Sequence, residues 1–327
     1  MTLPEFKIYR PKTLVEAIEL LSLHGDRIKI VAGGTDLVIN MKNRLLAPRF
    51  VLDIRGIDEL RGISFDQERG LRIGALTTIR EISESEIIKD KYRVLHEAAS
   101  VVAGPNLRNM GTLGGNLCLD TRCVYYNQSY FWRKANDFCL KKDGAVCHVA
   151  PGGKKCWAAY SGDTAPALIA LGATVRLISS RGERAMPLKD FFVYDGIEKF
   201  VIKPDEILVD VTVPASMAGY IGSYGKLRIR QSIDYPIAGA AVVVKTDTDG
   251  VIQDARVAIT AVNPAPLQVG GIDALLVGKK LDDNLIEQAA ELAKKTAKPL
   301  KTSGSTMSYR RHMIGVFVKR GLAAAKV

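Results

Sequence analysis

The chain has 327 residues, 47% of them hydrophobic and 25% charged, with a formal net charge of +11. That composition belongs to an ordinary globular protein, long enough for two or three domains with proper cores. No apolar run approaches the roughly 18 residues of a membrane span, and the first residues carry no apolar signal core, so a cytoplasmic protein without a membrane partner is expected. The basic residues are scattered rather than blocked, which argues against a nucleic-acid partner. A basic surface suits instead an anionic ligand, an acidic protein or a complementary subunit.

The chain opens as strand, helix, strand. Phe6 to Tyr9 is extended, Thr13 is placed to cap a helix bearing Leu14, Ala17, Ile18 and Leu21, and Arg27 to Ala32 returns as a strand. Further strands are predicted at Phe50 to Ile54 and Leu71 to Leu76, then a long helix over 78–102. A segment broken by turn signals at Asp143-Gly144 and Pro151-Gly152-Gly153 follows. Beyond it come a helix at Ala165 to Leu171 and strands at Ala173 to Ile178 and Glu206 to Val213. The small-residue stretch 215–225 reads as the boundary of a C-terminal domain, with strands at Ala238 to Lys245 and Ala255 to Val262 and helices at Leu285 to Lys294 and Tyr309 to Ala325. The fold class is α+β, with sheets covered by helices.

Two glycine turns stand out, IVAGGTDL at 30–37 and GTLGGNL at 111–117. Each sets a Gly-Gly pair near a threonine, Thr35 or Thr112. Glycine permits close backbone approach and positive φ, so successive N–H groups can converge on an anion. Two such loops could clamp a pyrophosphate, and neither is the G-x-G-x-x-G of a Rossmann domain.

All five cysteines lie between Cys118 and Cys156. From Cys123 the spacing is C-x15-C-x7-C-x8-C, through Cys139, Cys147 and Cys156. Zinc sites usually carry a short C-x2-4-C knuckle, and ferredoxin-type iron–sulfur motifs are equally compact. Chemistry alone leaves three products open: a cluster wrapped by a loop, a zinc site, or free or disulfide-linked thiols. Nearby Tyr125, Tyr126, Tyr130, Phe131, Trp132, Phe138, Trp157 and Tyr160 could exclude water, and Arg122, Arg133, Lys134, Lys141, Lys142, Lys154 and Lys155 could offset negative charge.

The strings VAGGTDL, IGALTT, AGPNLRNMGTLGGNL, GDTAPALIALGA and DEILVDVTVP occur in one order along the chain. In these it resembles the FAD-binding subunits of the molybdenum hydroxylase family. The resemblance implies a two-subdomain FAD-binding fold of the vanillyl-alcohol-oxidase (PCMH) type, at 1–56 and 57–217, then a C-terminal α/β domain of the CO dehydrogenase flavoprotein type at 218–327. It implies that Ile30, Val31, Ala32, Gly33, Gly34, Thr35, Asp36, Leu37, Thr112, Gly115 and Asn116 hold FAD around its pyrophosphate. Val102 and Leu208 would pack near its rings, with Asp163 an acidic contact and Lys226 a basic one. Tyr235 falls near where some relatives place an aromatic residue beside the isoalloxazine. Read without the resemblance, Asp163 would cap the next helix and Lys226 would be a solvated lysine.

Roughly forty extra residues, about 118–158, separate the second glycine turn from Asp163, and they carry the cysteines. This insert, including LCLDTRCVYYNQSYFWR, resembles that of the 4-hydroxybenzoyl-CoA reductase branch of the family. The resemblance implies a [4Fe–4S] cluster on Cys123, Cys139, Cys147 and Cys156, with Cys118 a small packed residue. It implies an electron-transfer subunit beside a large molybdenum-cofactor subunit and a small [2Fe–2S] subunit, in a dimer of heterotrimers. Ferredoxin would deliver electrons for the reductive dehydroxylation of 4-hydroxybenzoyl-CoA. Alternatives are a related molybdenum dehydrogenase acting on another aromatic or heterocyclic substrate, and a zinc-stapled nucleotide-binding protein without redox activity. No nucleophile–base constellation is visible, so no catalytic residue is expected on this chain. His148 is expected to take a solvent or backbone partner rather than a metal.

Overall fold

Leu14, Ala17, Ile18 and Leu21 share one helix face, and the computed structural model, which describes residues 2–326, buries all four. That helix is α1 (Leu14–His24), capped by the Thr13 hydroxyl, which accepts the Glu16 N–H. It covers a parallel sheet of β1 (Lys7–Tyr9), β2 (Ile28–Val31) and β3 (Phe50–Asp53), ordered β1-β3-β2. Parallel neighbours need crossover connections. The link from β2 to β3 contains α2 (Leu37–Lys42), which begins directly after the first glycine turn.

A second, antiparallel sheet holds β4 (Ile63–Asp66), β5 (Gly70–Gly74), β6 (Thr174–Ser179), β7 (Gly182–Pro187) and β8 (Ile207–Val213), ordered β4-β5-β8-β6-β7. Between β5 and β6 the chain makes α3 (Ile79–Glu84), α4 (Glu86–Lys91), α5 (Arg93–Ser100), α6 (Pro105–Arg108), α7 (Leu113–Leu117), α8 (Tyr130–Ala135) and α9 (Thr164–Ala170). The long helix predicted over 78–102 is therefore three helices. Ser85 ends α3 and its hydroxyl accepts the Ile88 N–H to start α4, while Tyr92 leaves helical geometry at φ −136°. A serine that bonds its own backbone competes with helix continuation.

One strand belongs to two cores. Ile207 and Val209 of β8 face the first sheet's core with Leu21 and Leu52, whereas Leu208, Val211 and Val213 face the second. The same division recurs in the third sheet, ordered β12-β11-β10-β9, of β9 (Ile221–Leu227), β10 (Ala238–Thr246), β11 (Ile252–Thr260) and β12 (Leu267–Gln268). Ala241 and Val243 of β10 join the second sheet's core, and Ala240, Val242 and Val244 pack with α10 (Ile272–Leu276), α11 (Asp283–Thr296) and α12 (Met307–Ala323). A strand covered on both faces reads as a continuous apolar run, which explains AGAAVVV.

The stretch 215–225 is not only a boundary, because its second half is the start of β9. Its glycines answer to packing: a Cβ on Gly222 would lie 2.9 Å from Val94 Cβ, and one on Gly225 would lie 2.5 Å from the Phe317 ring. Valine at 225 favours a strand but drives a branched side chain into α12. Gly225→Val is expected to cost about 1–3 kcal/mol, read as a fall in Tm, since overpacking outweighs strand propensity here.

Candidate functional site

The two glycine turns meet backbone to backbone. A Cβ on Gly33 would stand 1.8 Å from the Met110 carbonyl oxygen, so no other residue fits there without moving one loop. Gly34 follows at φ 72°, in the left-handed region. The N–H groups of Gly33, Gly34, Thr35 and Asp36 enter no hydrogen bond with another backbone group. Successive free N–H groups are an anion nest.

The second turn is not a copy of the first. Its Gly114 N–H donates to Ala75, its Asn116 N–H to the Thr112 carbonyl, and its Gly115 N–H to the Thr112 hydroxyl at 3.1 Å. Its glycines serve close packing, since a Cβ on Gly114 would lie 3.0 Å from the Ala75 carbonyl oxygen. The first turn thus holds the uncommitted donors, and the second shapes the wall opposite.

A cavity opens on either side of this contact, each about 800 Å³ including its mouth. The first is lined by Ile30, Val31, Ala32, Gly33, Gly34, Thr35, Asp36 and Leu37, with Leu76, Thr112, Gly115, Cys118 and Leu208. The second is lined by Thr35, Asp36, Ile79, Val102, Thr112, Gly115, Asn116, Leu119, Asp163 and Tyr235. Thr35, Asp36, Thr112 and Gly115 border both. A long ligand with apolar ends and an anionic waist matches that shape.

Lys226 lines neither cavity but stands directly behind Asp163. Its ammonium donates to Asp163 at 2.9 Å and to the Val101 carbonyl at 2.8 Å, and the Tyr224 hydroxyl donates to Asp163 at 2.8 Å. Asp163 precedes α9 yet makes no capping bond, and Lys226 is buried, so neither plain alternative holds. Burial pushes the Asp163 carboxyl up and the Lys226 ammonium down, each opposed by the other's charge.

The insert leaves the fold through a narrow neck, where Arg122 and Ala159 exchange backbone hydrogen bonds of 2.7 and 2.8 Å. Inside it, Cys123, Cys139, Cys147 and Cys156 border one cavity with Tyr126, Leu140, Val149 and Ala158. All four are buried, and all five cysteines are unpaired, which removes the disulfide alternative. Cys118 lies apart, on the first of the two cavities at the glycine turns. His148 also borders the cysteine cavity, but its Nε2 is engaged with the Phe138 carbonyl. Among the described residues no group of three or more His, Cys, Asp or Glu is placed to hold a single metal ion. Burial pushes the thiols of Cys123 and Cys156 up to about 12 and about 11.

The sequence reading missed Asp120, between Cys118 and Cys123. Its carboxylate accepts from Lys141 and Lys199, each at 2.9 Å, and from the Tyr126 hydroxyl at 2.8 Å. Its own N–H donates to Asp36 at 3.0 Å. Lys141 borders the cysteine cavity and Asp36 both cavities at the glycine turns, so one carboxylate bridges the two sites. An acid inside the cysteine run was the available signal.

Comparison with known proteins agrees with this arrangement. The profile of the family described as FAD binding domain in molybdopterin dehydrogenase matches residues 4–216, and that of the CO dehydrogenase flavoprotein C-terminal domain matches 223–325. The carbon monoxide dehydrogenase medium chain of Hydrogenophaga pseudoflava is 31% identical, over 98% of this chain and 97% of its own. The nicotinate dehydrogenase FAD-subunit of Eubacterium barkeri is 30% identical, over 96% and 94%. A solved structure of carbon monoxide dehydrogenase from Hydrogenophaga pseudoflava matches with a TM-score of 0.82 at 29% identity, covering 99% of this chain and 98% of that one. The two-subdomain FAD-binding fold and its C-terminal flavoprotein domain are thus those the motifs implied, and the chain belongs to the family of FAD-binding oxidoreductase subunits of molybdenum hydroxylases.

Proposed function

We propose that this chain is the electron-transfer subunit of a 4-hydroxybenzoyl-CoA reductase, holding FAD between its glycine turns and a [4Fe–4S] cluster in its insert. The observation that carries the reading is the convergence of Cys123, Cys139, Cys147 and Cys156 on one buried cavity, joined through Asp120 to the flavin-side loop. Family membership removes the zinc-stapled protein without redox activity from consideration.

The residues fit FAD. Gly33, Gly34, Thr35 and Asp36 offer free N–H groups to a pyrophosphate, and the Thr112 hydroxyl lies across from them. Ile30, Val31, Ala32 and Leu37 would line the way with Leu208 on one side, and Val102, Gly115 and Asn116 on the other. Asp163 would accept from the ligand, its position held by Lys226 and Tyr224. The donor set also fits a four-thiolate cluster, in a cavity walled by tyrosine and aliphatic side chains. When bound, the flavin exchanges one or two electrons and the cluster one at a time, joining one-electron carriers to two-electron chemistry.

No substrate site is assigned to this chain. The substrate would bind a large molybdenum-cofactor subunit, a small [2Fe–2S] subunit would complete the path, and two such heterotrimers would pair. An acidic ferredoxin would dock on the insert, where Phe131 is 81% exposed and Lys134 and Lys154 also face solvent. The relatives' own names favour one second reading, a dehydrogenase acting on a heterocyclic substrate, since one of them is a nicotinate dehydrogenase.

Three measurements test these assignments. In Gly33→Ala the new methyl would collide with the Met110 carbonyl, so flavin retention should fall about tenfold or more, against none in Gly270→Ala, whose Cβ meets nothing within 4 Å. Iron analysis and electron paramagnetic resonance on the purified complex should show that Cys139→Ser or Cys147→Ser loses iron but keeps flavin; equal iron in variant and wild type would overturn the ligand set. Neutralising Lys134 and Lys154 together should flatten the salt dependence of electron delivery from ferredoxin, and an unchanged slope would remove docking at the insert.

A further inference from the structure

Arg310, in the first turn of α12, is 1% exposed and has no carboxylate partner among the described residues. Its Nε donates to the Ile237 carbonyl at 2.8 Å, Nη1 to the Leu300 carbonyl at 2.7 Å and the Thr302 hydroxyl at 3.3 Å, and Nη2 to the Ala261 carbonyl at 2.6 Å. Every acceptor is neutral. A guanidinium in this position is costly to bury unless some negative charge lies near it. The other buried cations around the insert have acids: Lys141 shares Asp120, and Arg133 reaches Asp143 at 3.5 Å.

Thr302 ties the hydrogen-bond network of this charge to the chain beside Cys123. Thr302, whose hydroxyl takes the Arg310 bond, accepts through its carbonyl the N–H of Val124, the residue after Cys123, at 3.0 Å. Burial pulls Arg310 down to about 10, which leaves it charged at neutral pH. With four neutral thiols the guanidinium has nothing to balance. Four thiolates around an iron–sulfur cluster carry a net negative charge, and reduction adds to it.

We infer that Arg310 is the fixed counter-charge of the cysteine site, supplied from the C-terminal domain, and that it raises the reduction potential of the cluster bound there. This rests on the cluster reading above. Nearby positive charge favours the more negative, reduced form, so removing it should make the cluster harder to reduce. A purely structural Arg310 would act through its hydrogen bonds alone, which brace α12 against the loops at Ile237, Leu300 and Ala261. Charge and hydrogen bonding separate in two substitutions: lysine keeps the charge and loses the fork, and glutamine keeps some bonding and loses the charge.

The test is a redox titration of the purified heteromeric enzyme, followed by electron paramagnetic resonance of the cluster. Arg310→Gln should shift the cluster midpoint to more negative potential with flavin content unchanged, and Arg310→Lys should stay near wild type. An unchanged midpoint in Arg310→Gln, or equal shifts in both variants, would overturn the inference. If Arg310→Gln does not assemble, hydrogen exchange on the wild-type enzyme gives the answer. Chelating the iron should speed exchange of amides 307–312 by about tenfold, and unaltered exchange would refute the pairing. Failure of the cluster reading would show earlier and separately, as wild-type enzyme whose cysteine site holds no iron.

Discussion

Asp120 is buried and charged, and the two candidate sites depend on that combination. Burial alone would push its carboxyl upward, but the ammonium groups of Lys141 and Lys199 beside it hold it well below the usual carboxylate range. Losing one member of such a group leaves an uncompensated buried charge, at about 3–5 kcal/mol. The consequence is geometric as well as energetic. The Asp120 N–H binds Asp36, the residue from which α2 starts, immediately after the free N–H groups of the first glycine turn. Arg122, at the neck of the insert, reaches Asp36 at 3.5 Å and lies over the Tyr235 ring. The insert is therefore wired into the flavin-side loop by side chains rather than by sheet pairing, so movement in one disturbs the other.

What could be read in the sequence follows from whether its information is local. Helices α1, α9, α11 and α12 and strands β10 and β11 show their periodicity or apolar runs, and all lie near the predicted positions. β7 is a polar edge strand with mostly exposed residues, and β9 carries glycine at 222 and 225, so neither has the usual strand composition. The glycine turns were legible because glycine is demanded by a contact, Gly33 against Met110. Their inequality was not, because it depends on which N–H groups Ala75 and Thr112 consume. Asp163 and Lys226 could be placed only through the family resemblance, since their pairing joins the start of α9 to a strand of the third sheet. Asp120 and Arg310 escaped notice because their meaning lies wholly in distant partners.

The cysteine spacing becomes intelligible in the same terms. A compact motif places its ligands on one turn, whereas here each thiol arrives on a separate stretch of loop. Asp137, Phe138 and Asp143 take positive φ of 55°, 56° and 66° on either side of Cys139, a conformation unusual for such residues. Strain of this kind persists where surroundings over-determine it. The insert has little else to hold it: its own small core comprises Leu45, Cys123, Tyr126, Cys139, Cys156 and Ala158, and half of these are cysteines. A core so thin gains little from apolar burial, so on the proposed reading the group bound by its thiols would contribute much of its folding free energy. The three sheets have full cores of their own, with β8 and β10 each shared between two of them. On the proposed reading the insert is thus the part of the molecule whose order would follow its cluster, and Asp120 and Arg310 are the points at which the rest of the protein would feel that cluster's charge.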